Sequence, residues 1–219
     1  MENQTFLPAR LYVLAYDPKK QRLRTAWHMG AVLRAAALAE LQFAGHIADE
    51  NGRVVVTAHR HPSHRDPVLS DPLLSTVLAE ISASAKPRKW QHWIGRKHSA
   101  TIKLVREQLA TDHTIKAERR RALGLFPYWA VTLRDTRARS KFAESARRAL
   151  HGGEPIERLD RRDAAVVALA ANGELKTVVS GADRRKYKQR LKAIGEHVGP
   201  VAKGLKSVVQ SAQAAAAAG

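Results

Sequence analysis

The sequence predicts a mostly α protein, in which a central helix bundle is surrounded by amphipathic helices and carries two short β-hairpins, one with an apolar tip. Three observations predict this fold class. Alanine and leucine recur at helical spacing from residue 29 to residue 44, Asn51-Gly52 separates two runs of β-formers, and capping residues precede several later amphipathic stretches. A chain of 219 residues with 44% hydrophobic residues is long and apolar enough to bury a core.

The segment from Met29 to Ala44 is the predicted core helix. Gly45 follows it as a left-handed stop, because glycine adopts a positive φ without steric cost. The apolar residues that repeat at helical spacing in this segment are Val32, Leu33, Ala36, Ala37, Leu41 and Phe43.

Two hairpins are predicted. Asn51-Gly52 between β-formers is a strong signal for a tight turn. In the second hairpin, Thr114 to Arg121 and Tyr128 to Leu133 form the arms, and Gly124 and Pro127 mark the bend between them.

Capping residues and amphipathic spacing define the remaining helices. We expect the whole chain, 1–219, to be one domain, with 1–6 and 214–219 frayed. The predicted helices run from Asp71 to about Ala85, Ser99 to Asp112, Asp135 to His151, Asp160 to Ala171, Asp183 to Gly195, and onward from Pro200.

The charge of the chain favours an anionic partner. There are 38 Lys and Arg against 20 Asp and Glu, a net charge of +18, and no cysteine. Such an excess repels itself unless a polyanion compensates it, so nucleic acid and anionic lipid are the two obvious partners. No signal segment and no run of about 18 apolar residues is seen, so we expect a cytoplasmic protein without a membrane span.

An apolar loop with cationic shoulders lies at the bend of the second hairpin. Leu123, Leu125, Phe126, Tyr128 and Trp129 follow three arginines at 119–121 and precede Arg134. This arrangement is typical of segments that insert into the headgroup region of an anionic bilayer. The alternative is that the aromatic rings pack on the core.

Cations at helical spacing form candidate phosphate sites. Trp27 and Arg34 are seven residues apart, and Lys103 and Arg106 are three apart. The alternative for each pair is a solvated basic face. In the segment from Lys86 to Trp93, bases and aromatics interleave, which suits stacking on bases or a lipid interface, unless Trp90 and Trp93 dock on the core.

Catalysis and metal binding have no positive sign in the sequence. His59, His61 and His64 lie close together, but Pro62 interrupts them and their spacing matches no established zinc site. Glycine-rich phosphate loops and nucleophile elbows are absent. We therefore predict no metal, no cofactor and no enzyme activity.

The order of these pieces resembles the Golgi phosphoprotein three family, whose bacterial members are common in actinobacteria. The resemblance covers nearly the whole chain, from about Leu7 to the C-terminal helices. Its most telling stretches are Leu11 to Asp17, Leu33-Arg34 through Glu40-Leu41 to Gly45-His46-Ile47, Asp66 to Leu69, Val105 to Leu109, and Leu125-Phe126.

The resemblance implies a helical domain that binds phosphatidylinositol 4-phosphate in a basic pocket beside a membrane-inserting hairpin. By position, Arg34, Lys103 and Arg106 would bind the phosphate, Trp27 would be the pocket tryptophan, and residues 123–129 would insert. Lys103 stands where eukaryotic members have arginine, which keeps the charge but loses the bidentate fork. Trp27 is closer to Arg34 than the family pattern has it.

Two further departures limit what the resemblance implies. The family's Thr-Gly-Asp reads His64-Arg65-Asp66 here. The long N-terminal extension of eukaryotic members is missing, so their enzyme-sorting role at the Golgi is not expected.

The sequence thus predicts a peripheral protein on the inner face of a membrane, which binds anionic phosphorylated lipid and has no catalytic activity. The rival interpretation is a winged-helix nucleic-acid binder, because a helix followed by a hairpin occurs twice. A wing that reaches for phosphates should carry Arg and Lys at its apex rather than an apolar tip. A protein adaptor is a third reading, and its cargo is unknown.

Overall fold

Helices make up most of the structure, a computed structural model that describes residues 5–23, 28–57, 66–122 and 125–218. In this part of the chain ten α-helices alternate with short strands, and a single 3-10 turn (Ile156–Arg158) precedes the seventh helix. The helices are α1 (Leu7–Leu14), α2 (Met29–Phe43), α3 (Pro72–Ser82), α4 (Trp90–Ile94), α5 (His98–Thr111), α6 (Thr136–His151), α7 (Arg161–Asn172), α8 (Gly181–Lys186), α9 (Lys188–Val198) and α10 (Pro200–Ala217).

Helix α2 is the centre of the bundle. Its residues 29–41 are all buried, and it packs against α1, α3, α4, α5, α7 and α10. A helix that is apolar on every side must be surrounded by other elements, as the Ala- and Leu-rich sequence predicts. Gly45 follows α2 with φ of 74°, which confirms the predicted stop. The predicted fold class, a mostly helical bundle with short hairpins, is confirmed.

Gly30 allows α5 to approach α2 closely. A Cβ atom built on Gly30 would clash with the Cβ of His98, the first residue of α5. Val105 and Leu109 on the inner face of α5 are buried in the same core. The close approach fixes α5 against the central helix, so the opposite face of α5 points away from the core.

Glu40 is a buried charge that joins three helices. Its carboxylate, 1% exposed, accepts hydrogen bonds from the backbone N–H of Leu7 at 2.8 Å and from Nε of Arg162 at 2.9 Å. Its second oxygen accepts from Nη2 of Arg162 at 3.0 Å, so the ion pair is bidentate. A buried carboxylate needs such partners, because desolvation otherwise opposes its charge. Glu40 thereby ties α2 to the start of α1 and to α7.

Three small antiparallel sheets lie around the helices in the described ranges. The first pairs β1 (Tyr16–Asp17) with β2 (Arg22–Leu23), and the second has the order β3 (Ile47–Glu50), β4 (Arg53–Val56), β5 (Arg88–Lys89). The third pairs β6 (Ile115–Ala122) with β7 (Phe126–Leu133). Asn51 and Gly52 have φ of 52° and 75°, as a primed hairpin turn requires, and confirm the first predicted hairpin.

Three local predictions are wrong. Ser99 does not cap α5, because the helix begins at His98 after Lys97, which has a left-handed φ of 53°. The predicted helix from Asp183 to Gly195 is two helices, because the backbone at Tyr187 (φ −106°, ψ 26°) is not helical, and a Ser180–Asp183 capping box starts α8 at Gly181. Pro127 lies within β7 opposite Arg121, not in the bend.

Replacing Glu40 with glutamine tests the three-helix junction. We expect Glu40→Gln to lower the free energy of unfolding by about 3 kcal/mol, because Arg162 keeps its charge without a carboxylate partner. Urea unfolding followed by circular dichroism measures this loss. The matched control is Glu144→Gln, which removes an exposed carboxylate 3.1 Å from Arg148 and should cost less than about 0.5 kcal/mol. Equal losses in the two variants would contradict the role given to Glu40.

Candidate functional site

The β6–β7 hairpin is buried at its base and exposed toward its tip. Ile115, Val131 and Leu133 are buried where the strands leave the helix bundle. Farther out, Leu125 is 77% exposed. Tyr128 and Trp129, at 47% and 46% exposed, do not pack fully on the core, which was the alternative for these aromatics. Large apolar side chains in such positions mark a surface that contacts another apolar phase or partner.

Cations flank these exposed apolar residues across the sheet. In the antiparallel register Arg119 lies opposite Trp129, and Arg120 lies opposite Tyr128. Directly opposed residues in a sheet have neighbouring side chains, so positive charge and aromatic surface alternate along the hairpin. Arg120 also contacts Glu118 at 2.8 Å. Leu123 and Gly124 lie outside the described residues, and Phe126 is the first residue of β7.

Arg106 links α5 to the hairpin. Its guanidinium carbon lies 3.9 Å from the centre of the Trp129 ring, a close cation–π contact. The same charge acts on Tyr12 of α1: burial raises the pKa of Tyr12 to about 12, and Arg106 partly opposes that rise. Arg106 therefore stands between the helix bundle and the exposed aromatic end of the hairpin.

Lys103 is the most open of the predicted phosphate-binding cations in the described part of the chain. Its side chain is 65% exposed and its ammonium lies 3.9 Å from Glu107, one helical turn onward. An exposed pair at this distance contributes little to stability, so Lys103 is available to an anionic ligand.

Arg34 has different surroundings. Only 1% of its side chain is exposed; its Nε donates to the Trp93 carbonyl oxygen at 2.7 Å, and its Nη2 donates to Glu80 at 2.7 Å. Lys97 contacts the other oxygen of Glu80 at 3.1 Å. The structure thus brings Arg34 together with Glu80 and Lys97, and brings Arg106 together with Trp129.

The contacts with Arg34 and Lys97 affect the pKa of Glu80. Burial by itself would raise the pKa of Glu80, but hydrogen bonds and charges from Arg34 and Lys97 outweigh burial and lower it. A carboxyl group with a lowered pKa in the folded state stabilises the fold above its ordinary pKa. That contribution is lost as pH falls through the folded value.

Two tryptophans of the basic aromatic segment belong to the core. Trp90 and Trp93 are 2% and 1% exposed, so the segment from Lys86 to Trp93 docks on the helix bundle rather than offering rings to bases or lipid. Of the other candidates, Trp27, His59, His61 and His64 lie outside the described residues. Within the described ranges no group of three or more metal-ligating side chains occurs, and no helix is long and apolar enough to span a bilayer.

The residues that sequence reasoning missed are the partners of Arg34. Glu80 follows Arg34 by 46 residues, and the Trp93 carbonyl follows it by 59. No local spacing connects residues so far apart. The sequence sign was a cation on a mostly apolar helix, because a buried guanidinium requires a hydrogen-bond acceptor.

Comparison with known protein families is consistent with this architecture. The family model described as Golgi phosphoprotein 3 (GPP34) matches residues 7–212, nearly the whole chain. The protein therefore belongs to the Golgi phosphoprotein 3 family, and the resemblance predicted from the sequence is confirmed. A search of curated proteins gives no match.

Glu80→Gln tests the buried network through its pH dependence. We expect this variant to lose about 3 kcal/mol of unfolding free energy at neutral pH, because Arg34 stays buried without a full countercharge. The wild type should lose this advantage as the pH falls below the ordinary glutamate pKa and through the lowered pKa of Glu80, so the two stability curves converge in acid. Urea unfolding across this pH range measures both. Curves that stay parallel in acid, or a loss equal to that of Glu107→Gln at the Lys103 surface pair, would contradict the network.

Proposed function

We propose that this protein binds anionic phosphorylated lipid at a membrane surface. In this proposal the β6–β7 hairpin inserts into the bilayer, and cations on α5 pair with the headgroup phosphate. The observation that carries the proposal is the contact of Arg106 with Trp129, because it joins a cationic helix face to an exposed apolar hairpin. Membership of the family agrees with a lipid or protein partner at this coarse level.

The hairpin supplies the apolar part of the proposed interaction. Leu125, Tyr128 and Trp129 are exposed side chains of the kind that favour the headgroup boundary, where an aromatic ring keeps its polar edge in water. Phe126 and Leu123, which neighbour Leu125 in the sequence, are the other residues that we propose to insert. Burial of one leucine or tryptophan side chain contributes roughly 1.5–3 kcal/mol.

Cations supply the attraction to phosphate. Lys103 and Arg106 lie one helical turn apart on α5, and Arg119 and Arg120 lie on the neighbouring strand. Each cation near an anionic membrane surface contributes about 1 kcal/mol, and several together offset the loss of hydration. Trp27 remains a proposed pocket residue on the family pattern alone.

Arg34 could act in lipid binding either directly, by contacting the phosphate, or indirectly, by holding the helices that carry the binding face. Direct contact with a phosphate requires the phosphate to replace Glu80 as the partner of the guanidinium. Otherwise, Arg34 holds α3 and α4 against α2 and supports the binding face indirectly. We propose the indirect role, because Arg34 is buried and already makes two short hydrogen bonds.

The preferred headgroup in this proposal is phosphatidylinositol 4-phosphate or a related phosphoinositide, as the family resemblance implies. The proposed location is the cytoplasmic face of a membrane, and we propose a binding function with no catalytic step. Nucleic-acid binding gains no support from the hairpin, because its exposed outer residues include Leu125 and Tyr128, whereas a nucleic-acid wing carries cations at its apex.

Vesicle sedimentation tests the apolar contribution. Wild-type protein should sediment with vesicles that contain phosphatidylinositol 4-phosphate and much less with neutral phosphatidylcholine vesicles. Replacing Leu125 and Trp129 with serine should reduce binding by more than about tenfold, because both insertions are lost. The matched control is Val56→Ser, which removes another exposed apolar side chain (45% exposed) from the β3–β4 hairpin. Equal binding to both kinds of vesicle would overturn the proposal.

The same vesicles test the cations. Lys103→Ala and Arg106→Gln should each weaken binding by about fivefold, the effect of one charge near an anionic surface. Arg147→Ala, an exposed cation on α6, is the control and should change little. Rising salt should weaken the binding of the wild type more than that of the combined Lys103→Ala/Arg106→Gln variant, since this variant has fewer charges to screen. A wild-type protein that shifts duplex DNA in a gel at physiological salt, yet ignores the anionic vesicles, would favour the nucleic-acid reading.

A further inference from the structure

A second basic site lies far along the sequence from the hairpin, in the C-terminal helices. A cavity of about 900 Å³ is lined by residues of α8, α9, α10 and the end of α7. This volume is in the range of small-molecule sites, which hold ligands much larger than a single inorganic ion. None of its lining residues belongs to α5 or to the β6–β7 hairpin.

The walls of this cavity combine positive charge with an apolar surface. One carboxylate, Glu196, is present, 3.8 Å from one of the lysines, so the lining has an excess of four positive charges. Ala171, Leu191 and Ala202 supply apolar surface between the charges. The cations are Arg184, Lys188, Lys192, Lys203 and Lys206.

Arg184, one of the cations that line the cavity, has a hydrogen-bond donor without a partner in the described part of the chain. Its Nη2 atom is buried and has no hydrogen-bond acceptor among the residues that the structure describes. A buried charged donor without an acceptor is unfavourable, so an anionic ligand that reaches it gains a charge-assisted hydrogen bond.

Gly195 is one of the residues that line the cavity. It lies inside α9, where glycine is less favourable than alanine by about 1 kcal/mol. A Cβ atom built on Gly195 meets no other atom within 4 Å, so neighbouring packing does not require a glycine here. Because Gly195 lines the cavity and its Cβ position is unobstructed, we expect a larger side chain there to occupy part of the cavity.

We infer that this cavity binds an organic phosphate: a phosphate monoester attached to an apolar body. A phosphate monoester carries close to two negative charges at neutral pH and several acceptor oxygens, which suits a site with four excess positive charges and a free guanidinium donor. The apolar lining takes the body of the molecule. This chemistry is shared by a soluble phosphorylated metabolite and by the headgroup end of a lipid phosphate.

Calorimetric titration with octyl phosphate, below its micelle concentration, tests the inference on the full chain. Octyl phosphate should bind saturably with one site, and octanoate, which has a similar tail and a single charge, should bind at least about tenfold more weakly. Inorganic phosphate should also bind weakly, because it leaves the apolar surface uncovered. No saturable binding of octyl phosphate, or equal binding of octanoate, would overturn the inference.

Two variants locate the site. Gly195→Phe should reduce octyl phosphate affinity by at least about tenfold by filling the cavity, with an unchanged or higher melting temperature, since α9 gains a better helix former. Its matched control is Gly153→Phe, a second glycine with free space around its Cβ position but outside the cavity. The double replacement Lys188→Ala/Lys203→Ala should weaken binding by about tenfold without filling the space. Unchanged affinity in both cavity variants would overturn the assignment.

Comparison with the α5 variants separates this site from the proposed lipid site. Lys103→Ala and Arg106→Gln should leave octyl phosphate binding unchanged, and their loss of vesicle binding is a separate result. Vesicles of phosphatidic acid distinguish the two sources of ligand: Gly195→Phe weakens their binding if the occupant is a membrane lipid, and leaves it unchanged if the occupant is soluble. Octyl phosphate binding that follows the α5 variants instead would contradict a second site.

Discussion

The structure depends on the ion pairs formed by the two charged residues of the buried helix α2. Helix α2 is enclosed on all sides, yet it carries Arg34 and Glu40, and each charge is unfavourable inside the protein unless a partner meets it. Glu80 on α3 meets the arginine, and Arg162 on α7 meets the glutamate. These two ion pairs fix where α3 and α7 can dock. The apolar packing of α2 supplies most of the burial, whereas the ion pairs select one arrangement of its neighbours.

This arrangement prepares the binding face. Because Gly30 allows α5 to pack closely against α2, the inner face of α5 is buried in the core. Lys103 and Arg106 lie outside that buried face. The β6–β7 hairpin follows α5 directly, and its base is buried against the helix bundle. Its exposed end therefore extends from a packed base. Arg106 then bridges the two parts through the Trp129 ring. A cationic helix and an apolar hairpin held in fixed relation suit a bilayer, which offers phosphate and hydrocarbon at adjacent depths.

Local patterns in the sequence predicted much of this structure. Helix α2, its glycine stop and the Asn51-Gly52 turn depend on neighbouring residues, and the structure confirms them. The break at Tyr187 was missed because a continuous run of cations resembles one helix, whereas the backbone at Tyr187 leaves the helical conformation. The surroundings of Arg34 were beyond local reasoning, since Glu80 is distant in sequence and reaches it only after α2 and α3 pack. The sequence likewise showed the cations of the C-terminal helices, but a cavity arises only from how those helices meet.

In the proposed complex, Trp129 enters the bilayer while Arg106 stays beside the phosphates. Quenching of tryptophan fluorescence by vesicles with brominated acyl chains measures this directly, when wild-type protein is compared with Trp129→Phe. Trp27, Trp90 and Trp93 are common to both proteins, so a difference in quenching between the two proteins belongs to Trp129; Trp90 and Trp93 are also buried. If Trp129 inserts, we expect strong quenching of the wild type by brominated vesicles that contain phosphatidylinositol 4-phosphate, and a clear loss of that quenching in the variant. Equal quenching of the two proteins, or none for wild-type protein bound to the vesicles, would contradict it.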